Sequence, residues 1–413
     1  MTKSIYDRPR TIVRNHRFRL YPNPAEKRFL EGIFGAWRVV YNYYLAENIK
    51  AYKTKRIKIH LYQQTADIKH LRQREGYEWL ADHNSRILQL AVKNLHFAYK
   101  IFFTDLKDQS IKGPDKRGFP AFKTKETRQS FQIDFVGRGL GCIQPNSTLS
   151  LPKLHAQVYG IEAYELMSMR KRGECPPGIK VKLDRPLEGK LGIGTITKEP
   201  TGKYFVTIPV TQVIQTLPEI EKADQPRVGI DVGIDDLITL SNGIKIPNPG
   251  FLEQSIKKLG KAQRKLARLL KGGKNYEKQR KKVARIHEKI KNQRRDFLHK
   301  LTTELVRTHQ AIFTEDLDIK RMLRGENCGE HLIRNAAWGK LIRMLEYKSE
   351  EHGVEFDKAD RFFPSSQLCN SCGHLHSDLK PDDKEWRCPA CGQWHDRNVN
   401  AAQNILKECE KNI

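Results

Sequence analysis

Four cysteines and one aspartate near the C-terminus carry the clearest chemistry, in the stretch CNSCGHLHSDLKPDDKEWRCPACGQWHDRNVNAAQNIL that begins at Cys369. Cys369 and Cys372 are separated by two residues, fifteen residues follow, and Cys388 and Cys391 repeat the spacing. This is the pattern of a four-thiolate zinc ribbon, in which soft sulfur ligands close a tetrahedron around Zn²⁺. Gly373 and Gly392 follow the two knuckles and let the backbone turn its amides toward the thiolates. A redox dithiol pair would use the same residues, but nothing nearby reads as a thioredoxin-like unit. Four sulfurs leave no open coordination position, so the expected zinc is structural and the reacting groups lie elsewhere. His374, His376 and His395 are spare ligands by proximity only.

Asp396 stands five residues past Cys391, at the mouth of an apolar helix. Asp231 interrupts the apolar run VGIDVGI, and Glu315 closes the run AIFTE. A carboxylate inside a buried strand is costly unless it is paired or binds a cation. Two strands and one helix start, each delivering an acid, suit a hard cation such as Mg²⁺. Two such ions can activate a water and stabilise the leaving oxygen of a phosphodiester. Each acid taken singly has a plainer reading. Asp231 could begin a turn, although Asp235 and Asp236 suit that part better; Glu315 could sit on a surface edge; Asp396 could be an N-cap worth about 1 kcal/mol. Taken together, with the α/β order and the charge of the chain, they point to a metal-dependent nuclease.

The elements that must position these residues are legible in outline. HRFRLY at 16–21 alternates with period two, as a half-buried strand does. NPAEKRFL opens a helix, with Asn23 as cap, Pro24 in the first turn and Glu26 completing a capping box. Phe29, Ile33, Trp37, Val40 and Tyr44 follow at helical spacing. Further helices are expected over about 61–74 and 84–106, the latter with Leu88, Ala91, Leu95, Ala98 and Phe102 on one face. Residues 113–125 read as a basic loop and 129–215 as β-rich, with a hairpin turning at Pro200 and Gly202. Strand material on both sides of a helical block implies one β-barrel-like domain, 1–21 plus 108–222, carrying a helical insertion over 22–107. Residues 218–227 read as a linker. From 223 to 413 the pattern is α/β: three short strands over VGIDVGIDDLITLSNGIKI, a basic helical region over 251–308 broken at Gly272-Gly273, a strand at 311–317, a helix with Trp338, Leu341, Ile342 and Leu345 buried, and a strand at VEFDKAD.

Lys and Arg total 75 against 48 acids in 413 residues, a formal charge of +27. A surplus of that size repels itself unless a polyanion neutralises it, so nucleic acid is the leading partner and an acidic membrane surface the weaker one. No run of roughly 18 apolar residues exists, so no membrane span is expected. The basic N-terminus lacks an apolar signal core, which argues against secretion and for a cytoplasmic, nucleoid-associated protein. Cys142, Cys175, Cys328 and Cys409 are scattered and read as free thiols of a reducing interior. Residues 256–300 hold eighteen Lys or Arg against three acids, yet Val283, Ile286, Ile290, Phe297, Leu301 and Leu305 keep an apolar stripe. A packed helical pair with a cationic face follows. The face is either merely solvated or bound to phosphate, and the imbalance of sign favours phosphate.

At this point the order GIDVGIDD, basic hairpin, FTEDL, SSQLCNSCG, CPACG, HDRNVNAAQNI resembles TnpB, the nuclease family encoded by a class of insertion-sequence transposons. RLYPNPAE, WRVVYNYYL, LQLAVKNLHFAYKIFF and GFPAFK match the N-terminal pattern of that family, so the resemblance spans nearly the whole chain. It implies a multidomain α/β protein: a RuvC-type RNase H fold nuclease domain over 223–413 with a zinc ribbon inserted at 365–395, and a wedge β-barrel carrying a helical recognition insertion. It implies Asp231, Glu315 and Asp396 as the catalytic, Mg²⁺-binding triad, with two Mg²⁺ ions. It also implies a guide RNA from the transposon end, a double-stranded DNA target chosen by base pairing, and a short adjacent DNA motif read by the protein. Tyr62 and Gln89 are the motif-reading candidates by position in the family pattern; burial within the helical bundle is the other reading of Tyr62. Lys278, Arg280, Lys281, Lys282 and Arg285 are expected to meet nucleic-acid phosphates, although the resemblance does not assign them singly.

Other functions fit parts of this pattern. A guided DNA-binding repressor would have lost an acid, and none is lost. A miniature type V CRISPR effector shares the site. A strand-joining transposase of the related single-strand class needs a nucleophilic Tyr near a His-x-His pair, and His374-Leu375-His376 lies inside the ribbon with no Tyr placed to serve. A structural RNA-binding protein would need the charge but not the acids.

Overall fold

The computed structural model describes residues 10–108, 116–135, 142–214, 227–318, 322, 337–380 and 383–411. The expectations for the extreme N-terminus, for positions 113–115 of the basic loop, for the linker through 226 and for Cys328 lie outside the described residues. The chain divides into two compact units, Thr11–Val213 and the part from Ile214 onward.

In the first unit, strand β1 (Arg10–Tyr21) leads into helix α1 (Pro24–Lys55). The start of α1 is fixed by side chains: the Glu26 amide donates to Asn23 Oδ1 at 2.9 Å, and the Asn23 amide donates to Glu26 Oε2 at 2.6 Å. The reciprocal pair satisfies two amides that a helix start leaves without partners. Phe29, Ile33, Trp37, Val40 and Tyr44 are all buried along α1. Helices α2 (Leu61–Leu71) and α3 (Ser85–Lys107) pack beside it, and Asn84 caps α3 through the Arg86 and Ile87 amides. The 116–123 loop is pinned twice: Arg117 grips the buried Asp105 of α3, and the Lys123 backbone pairs with the Asn42 side-chain amide.

Strands β2 (Gln129–Asp134), β3 (Cys142–Ile143), β4 (Thr148–Ser150), β5 (Ile179–Lys182), β6 (Lys190–Leu191), β7 (Ile193–Lys198) and β8 (Tyr204–Ile214) complete the sheet. Its order is β2-β7-β8-β1-β5-β4-β3, with β6 beside β8. The strand that precedes the helical block thus lies in the middle of strands that follow it. Gly202, at φ 83°, makes the turn between β7 and β8. Two helical elements within the β-rich span were not expected: a five-residue π-helical turn (His155–Tyr159) and α4 (Ala163–Lys171), the second of which buries no residue. A helix with no apolar stripe leaves no periodic signal to read.

The second unit is built on a five-stranded sheet in the order β11-β10-β9-β12-β13. Strands β9 (Arg227–Val232), β10 (Asp236–Leu240) and β11 (Lys245–Pro247) form an antiparallel meander; β12 (Ala311–Glu315) and β13 (Glu355–Ala359) run parallel to β9. Helices α5 (Glu253–Ala267) and α6 (Lys274–Thr308) come between β11 and β12, separated at Gly272-Gly273. They carry a small core of their own around Leu259, Val283 and Ile286. Helix α7 (Trp338–His352) joins the C-terminal half of α6 over one face of the sheet, meeting Val228, Ile230 and Ile312. Helix α8 (Arg397–Glu410) covers the other face, meeting Ala311, Phe313 and Ala359. A buried lysine ties α7 to α6: Lys348 Nζ donates to His299 O, Thr302 Oγ1 and Thr303 Oγ1, each at 2.7 Å.

Strand alternation decides which side chains meet α8. Val228, Ile230 and Ile312 point toward α6 and α7, so Gly229, Asp231, Phe313 and Glu315 point the other way. At Gly229 helix α8 lies tight against the strand. A Cβ there would sit 2.1 Å from Ala402 O and 2.8 Å from Leu406 N. Gly229→Ala is therefore expected to push α8 off the sheet and lower stability by about 3 kcal/mol, at the upper end of overpacking costs. Asp396, at the head of the same helix, moves with it, and a thermal melt of the variant measures the loss. Wild-type melting in this variant would show the helix to be free to shift.

Candidate active site and four-cysteine cluster

Asp231 on β9 and Glu315 at the end of β12 reach each other across adjacent parallel strands and share a side-chain hydrogen bond. Both titrate above the ordinary carboxylate range. For Asp231 burial is the main cause, followed by the Glu315 charge. For Glu315 burial again leads, opposed by hydrogen bonds from Ser365 and Asp231. Ser365 Oγ donates to Glu315 Oε1 at 3.0 Å and so orients that carboxyl.

Asp396 closes the short strand β15 (Trp394–Asp396), paired with β14 (Glu385–Arg387), and caps α8. Its Oδ1 accepts the amides of Asn398 and Val399 at 3.1 and 3.0 Å, and its Oδ2 accepts Lys245 Nζ at 2.6 Å. Burial alone would raise its titration, but the Lys245 ammonium and the two amides outweigh burial and hold it below the ordinary value. Asp231 feels the Asp396 charge, which raises its pKa, and the Arg397 guanidinium, which lowers it. All three acids therefore lie on the α8 side of the sheet. They are not equally gathered: among the described residues only the four cysteines place three or more potential ligand atoms within 4.8 Å of one another. Asp396 is turned toward Lys245.

The four cysteines match their expected geometry. Cys369 Sγ is 3.7 Å from Cys391 Sγ, and Cys372 Sγ is 3.6 Å from Cys388 Sγ. A tetrahedron with Zn–S bonds of about 2.3 Å has edges of about 3.8 Å, so the donor set fits Zn²⁺. The two knuckles are copies of each other. The Cys369 amide donates to His374 O and the Gly373 amide to Cys369 O; the Cys388 amide donates to Gln393 O and the Gly392 amide to Cys388 O. Gly373 and Gly392 sit at φ 77° and 73°, a left-handed turn that favours glycine. His395 Nε2 lies 3.1 Å from Cys369 Sγ, placed to hydrogen-bond a thiolate. His376 and His395 both pack on Trp386. Of the His-x-His pair, His376 is thus committed inside the ribbon and His374 stands exposed beside the first knuckle.

Sequence reasoning missed the residues that join the ribbon to the acids. Asn404 Nδ2 donates to Ser365 O at 2.8 Å and to Leu368 O at 2.6 Å, and Asn400 Nδ2 donates to Leu368 O at 2.8 Å. The Asn370 amide donates to Asn400 Oδ1, and Lys407 Nζ to Asn370 O. The polar face of α8 therefore grips the first cysteine knuckle, while Ser365 in the same segment holds Glu315. The spacing of Asn400 and Asn404 inside NVNAAQNIL was the available signal, because amides one helical turn apart stand on one face. Lys245 carried no such signal, since its strand has only three residues.

The other expected contact residues are placed singly. Tyr62 is 83% exposed on α2, which removes its burial reading, and Gln89 is half-buried on α3. Lys278, Lys281, Lys282 and Arg285 are exposed on α6, whereas Arg280 is half-buried and paired with Glu277 at 2.8 Å. Cys142, Cys175 and Cys409 are free thiols. No helix among the described residues is long and apolar enough to cross a membrane.

Three family models match the chain: "Probable transposase" over residues 207–326, "Cas12f1-like, TNB domain" over 338–405, and "Helix-turn-helix domain" over 12–58. In this chain the last segment holds β1 and the single long helix α1. A relative from Streptomyces pristinaespiralis, named "Putative RNA-guided DNA endonuclease", is 33% identical over 399 residues, covering 96% of this chain and 89% of the relative. A second, "Putative RNA-guided DNA endonuclease InsQ" from Escherichia coli K12, is 27% identical over 407 residues and covers 94% and 90%. Among solved structures, a Cas12f1–sgRNA–target DNA complex aligns at 13% identity with a TM-score of 0.49, covering 96% of this chain and 99% of that one. The chain belongs to the TnpB family of IS605-type insertion sequences.

Proposed function

We propose that the chain is an RNA-guided DNA endonuclease that hydrolyses phosphodiester bonds with Asp231, Glu315 and Asp396 as its catalytic acids. The observation that carries this reading is the strand order β11-β10-β9-β12-β13, with one acid on the first strand of the meander, one on the parallel neighbour and one heading the helix across them. That arrangement supports a RuvC-type RNase H fold, and the names of the relatives support the reaction.

Desolvation and mutual repulsion disfavour two bare charges on the half-buried Asp231–Glu315 pair. Such a pair favours a hard divalent cation beside its carboxylates. A pair of Mg²⁺ ions bound there would supply an activated water and charge neutralisation at the leaving oxygen. The protein sets the stage for that chemistry. Ser365 orients Glu315, the start of α8 fixes Asp396 Oδ1, and the ribbon hairpin sets the height of Asp396 above the sheet. The ribbon binds structural Zn²⁺ and contributes no reacting group.

The guide RNA comes from the transposon end, and the target is double-stranded DNA beside a short motif. Tyr62 and Gln89 present hydrogen-bonding groups suited to base edges. The domain assignment follows from the same reading: a wedge barrel (1–21, 108–222) with a recognition insertion (22–107), then the nuclease domain (223–413). The test is to exchange the guide segment and map cleavage on a random target library. Cut sites should follow the new guide with the protein unchanged; sites that do not move would leave an autonomous metal nuclease in its place.

The exposed cations of α6 give a second expectation. Neutralising Lys278, Lys281, Lys282 and Arg285 together should weaken binding to all targets alike and flatten the salt dependence by roughly one unit of slope per lost phosphate contact. Filter binding across a salt series measures it. An unchanged slope would mark the face as solvated only.

A further inference from the structure

We propose that Lys245 is the resident counter-ion of the carboxylate cluster, a positioning residue that holds Asp396 in the metal-free protein and that an incoming divalent cation must displace. This rests on the metal-nuclease reading above.

The sheet places Lys245 for the task. Register pairs Lys245 with Thr239 and Thr239 with Asp231, so the three stand in one row across β11, β10 and β9. With strands about 4.8 Å apart, the ends of that row are about 10 Å apart at the backbone. The Lys245 ammonium reaches Asp396 Oδ2 at 2.6 Å, and that carboxylate in turn acts on Asp231. Asp396 Oδ1 is already committed to two helix amides, so Oδ2 is the oxygen left to offer a cation. An ammonium and a divalent ion cannot both sit against that oxygen without strong like-charge repulsion.

Lysine suits a partner that must let go. Its charge is a point on a flexible stem, without the fork that would lock an arginine onto the carboxylate. The side chain is 37% exposed, so it can swing clear without opening the core. The displaced ammonium remains beside a site whose substrate is an anionic backbone, which gives it a new partner once nucleic acid is present. Cation loading is therefore easier with substrate in place than without it.

The test titrates Mn²⁺ alone into the full-length protein without nucleic acid, following free Mn²⁺ by electron paramagnetic resonance. Lys245→Met and Lys245→Gln should each bind Mn²⁺ about fivefold more tightly than wild type, the scale of a partly exposed ion pair. Lys245→Arg, which keeps the charge, should not tighten it. Lys384→Met is the control for charge at a distance, since Lys384 pairs with the exposed Asp235 at 3.3 Å on the same unit, and it should leave Mn²⁺ affinity unchanged. Equal or weaker binding in both neutral Lys245 variants would overturn the proposal, and so would equal tightening by Lys384→Met. Asp231→Asn separates the two levels of the argument. If it removes the Mn²⁺ site while the Lys245 variants behave as wild type, the metal site stands and the counter-ion role falls. If Mn²⁺ binding survives Asp231→Asn unchanged, the metal-site reading falls and takes Lys245 with it.

Discussion

Asp231→Asn is expected to abolish DNA cleavage and, at the same time, to stabilise the metal-free protein. Loss of a metal-binding carboxylate should cost at least about a thousandfold in rate. The gain in stability follows from the same site. Asp231 and Glu315 have folded-state pKa values raised above those of the unfolded chain. Between the two values the folded protein binds more protons than the unfolded one, so stability falls as the pH rises through that window. An amide at 231 still hydrogen-bonds Glu315 but carries no charge to repel it. At neutral pH and without divalent cation, the variant should melt higher by a few degrees, about 1 kcal/mol. Adding Mg²⁺ should raise the melting temperature of wild type and not that of the variant. Cleavage near wild type in Asp231→Asn would remove the residue from the site, and a lower melting temperature would show the pair to be stabilising as it stands.

Cys388→Ser is expected to release zinc and silence the nuclease without any change to the acids. Structural zinc is worth about 10–16 kcal/mol in small modules, where binding and folding are one event. The ribbon is held by little else: its core is Cys369, Leu379, Trp386 and Cys388. Once it opens, the β14–β15 pairing that ends at Asp396 goes with it, and so does the Leu368 segment gripped by Asn400 and Asn404. Metal analysis should find no zinc, limited proteolysis should cut within 365–395, and cleavage should drop at least about a hundredfold, as for other misplaced catalytic groups. A zinc-free protein that cuts normally would show the ribbon to be dispensable.

What the sequence made legible were features with a period or a fixed spacing. The Asn23–Glu26 box, the Trp338–Leu345 stripe, the Gly272-Gly273 break and the two knuckles each repeat a local rule, and the structure realises each. The acids stood out because charge inside an apolar run violates such a rule. Lys245, Ser365 and Asn404 stayed hidden for the converse reason. A lysine on a three-residue strand, a serine in a loop and an asparagine on a helix are ordinary by themselves, and their partners lie 151, 50 and 36–39 residues away in the chain. Pairings of that kind are fixed by tertiary geometry. The same holds for β5, four residues long, whose neighbour β1 precedes the entire helical block.

Asp396 carries two duties on its two oxygens, and this bears on how such a protein can change over generations. Asparagine at this position would keep the helix cap, because a side-chain carbonyl accepts the Asn398 and Val399 amides as a carboxylate does. It would lose only the charge. A single base transition in the codon converts one residue into the other. With Asp396 in the catalytic role proposed above, the cutting function would be shed in one mutational step that keeps the helix cap, the ribbon and the basic surfaces, so variants that bind without cutting would lie one substitution from this sequence.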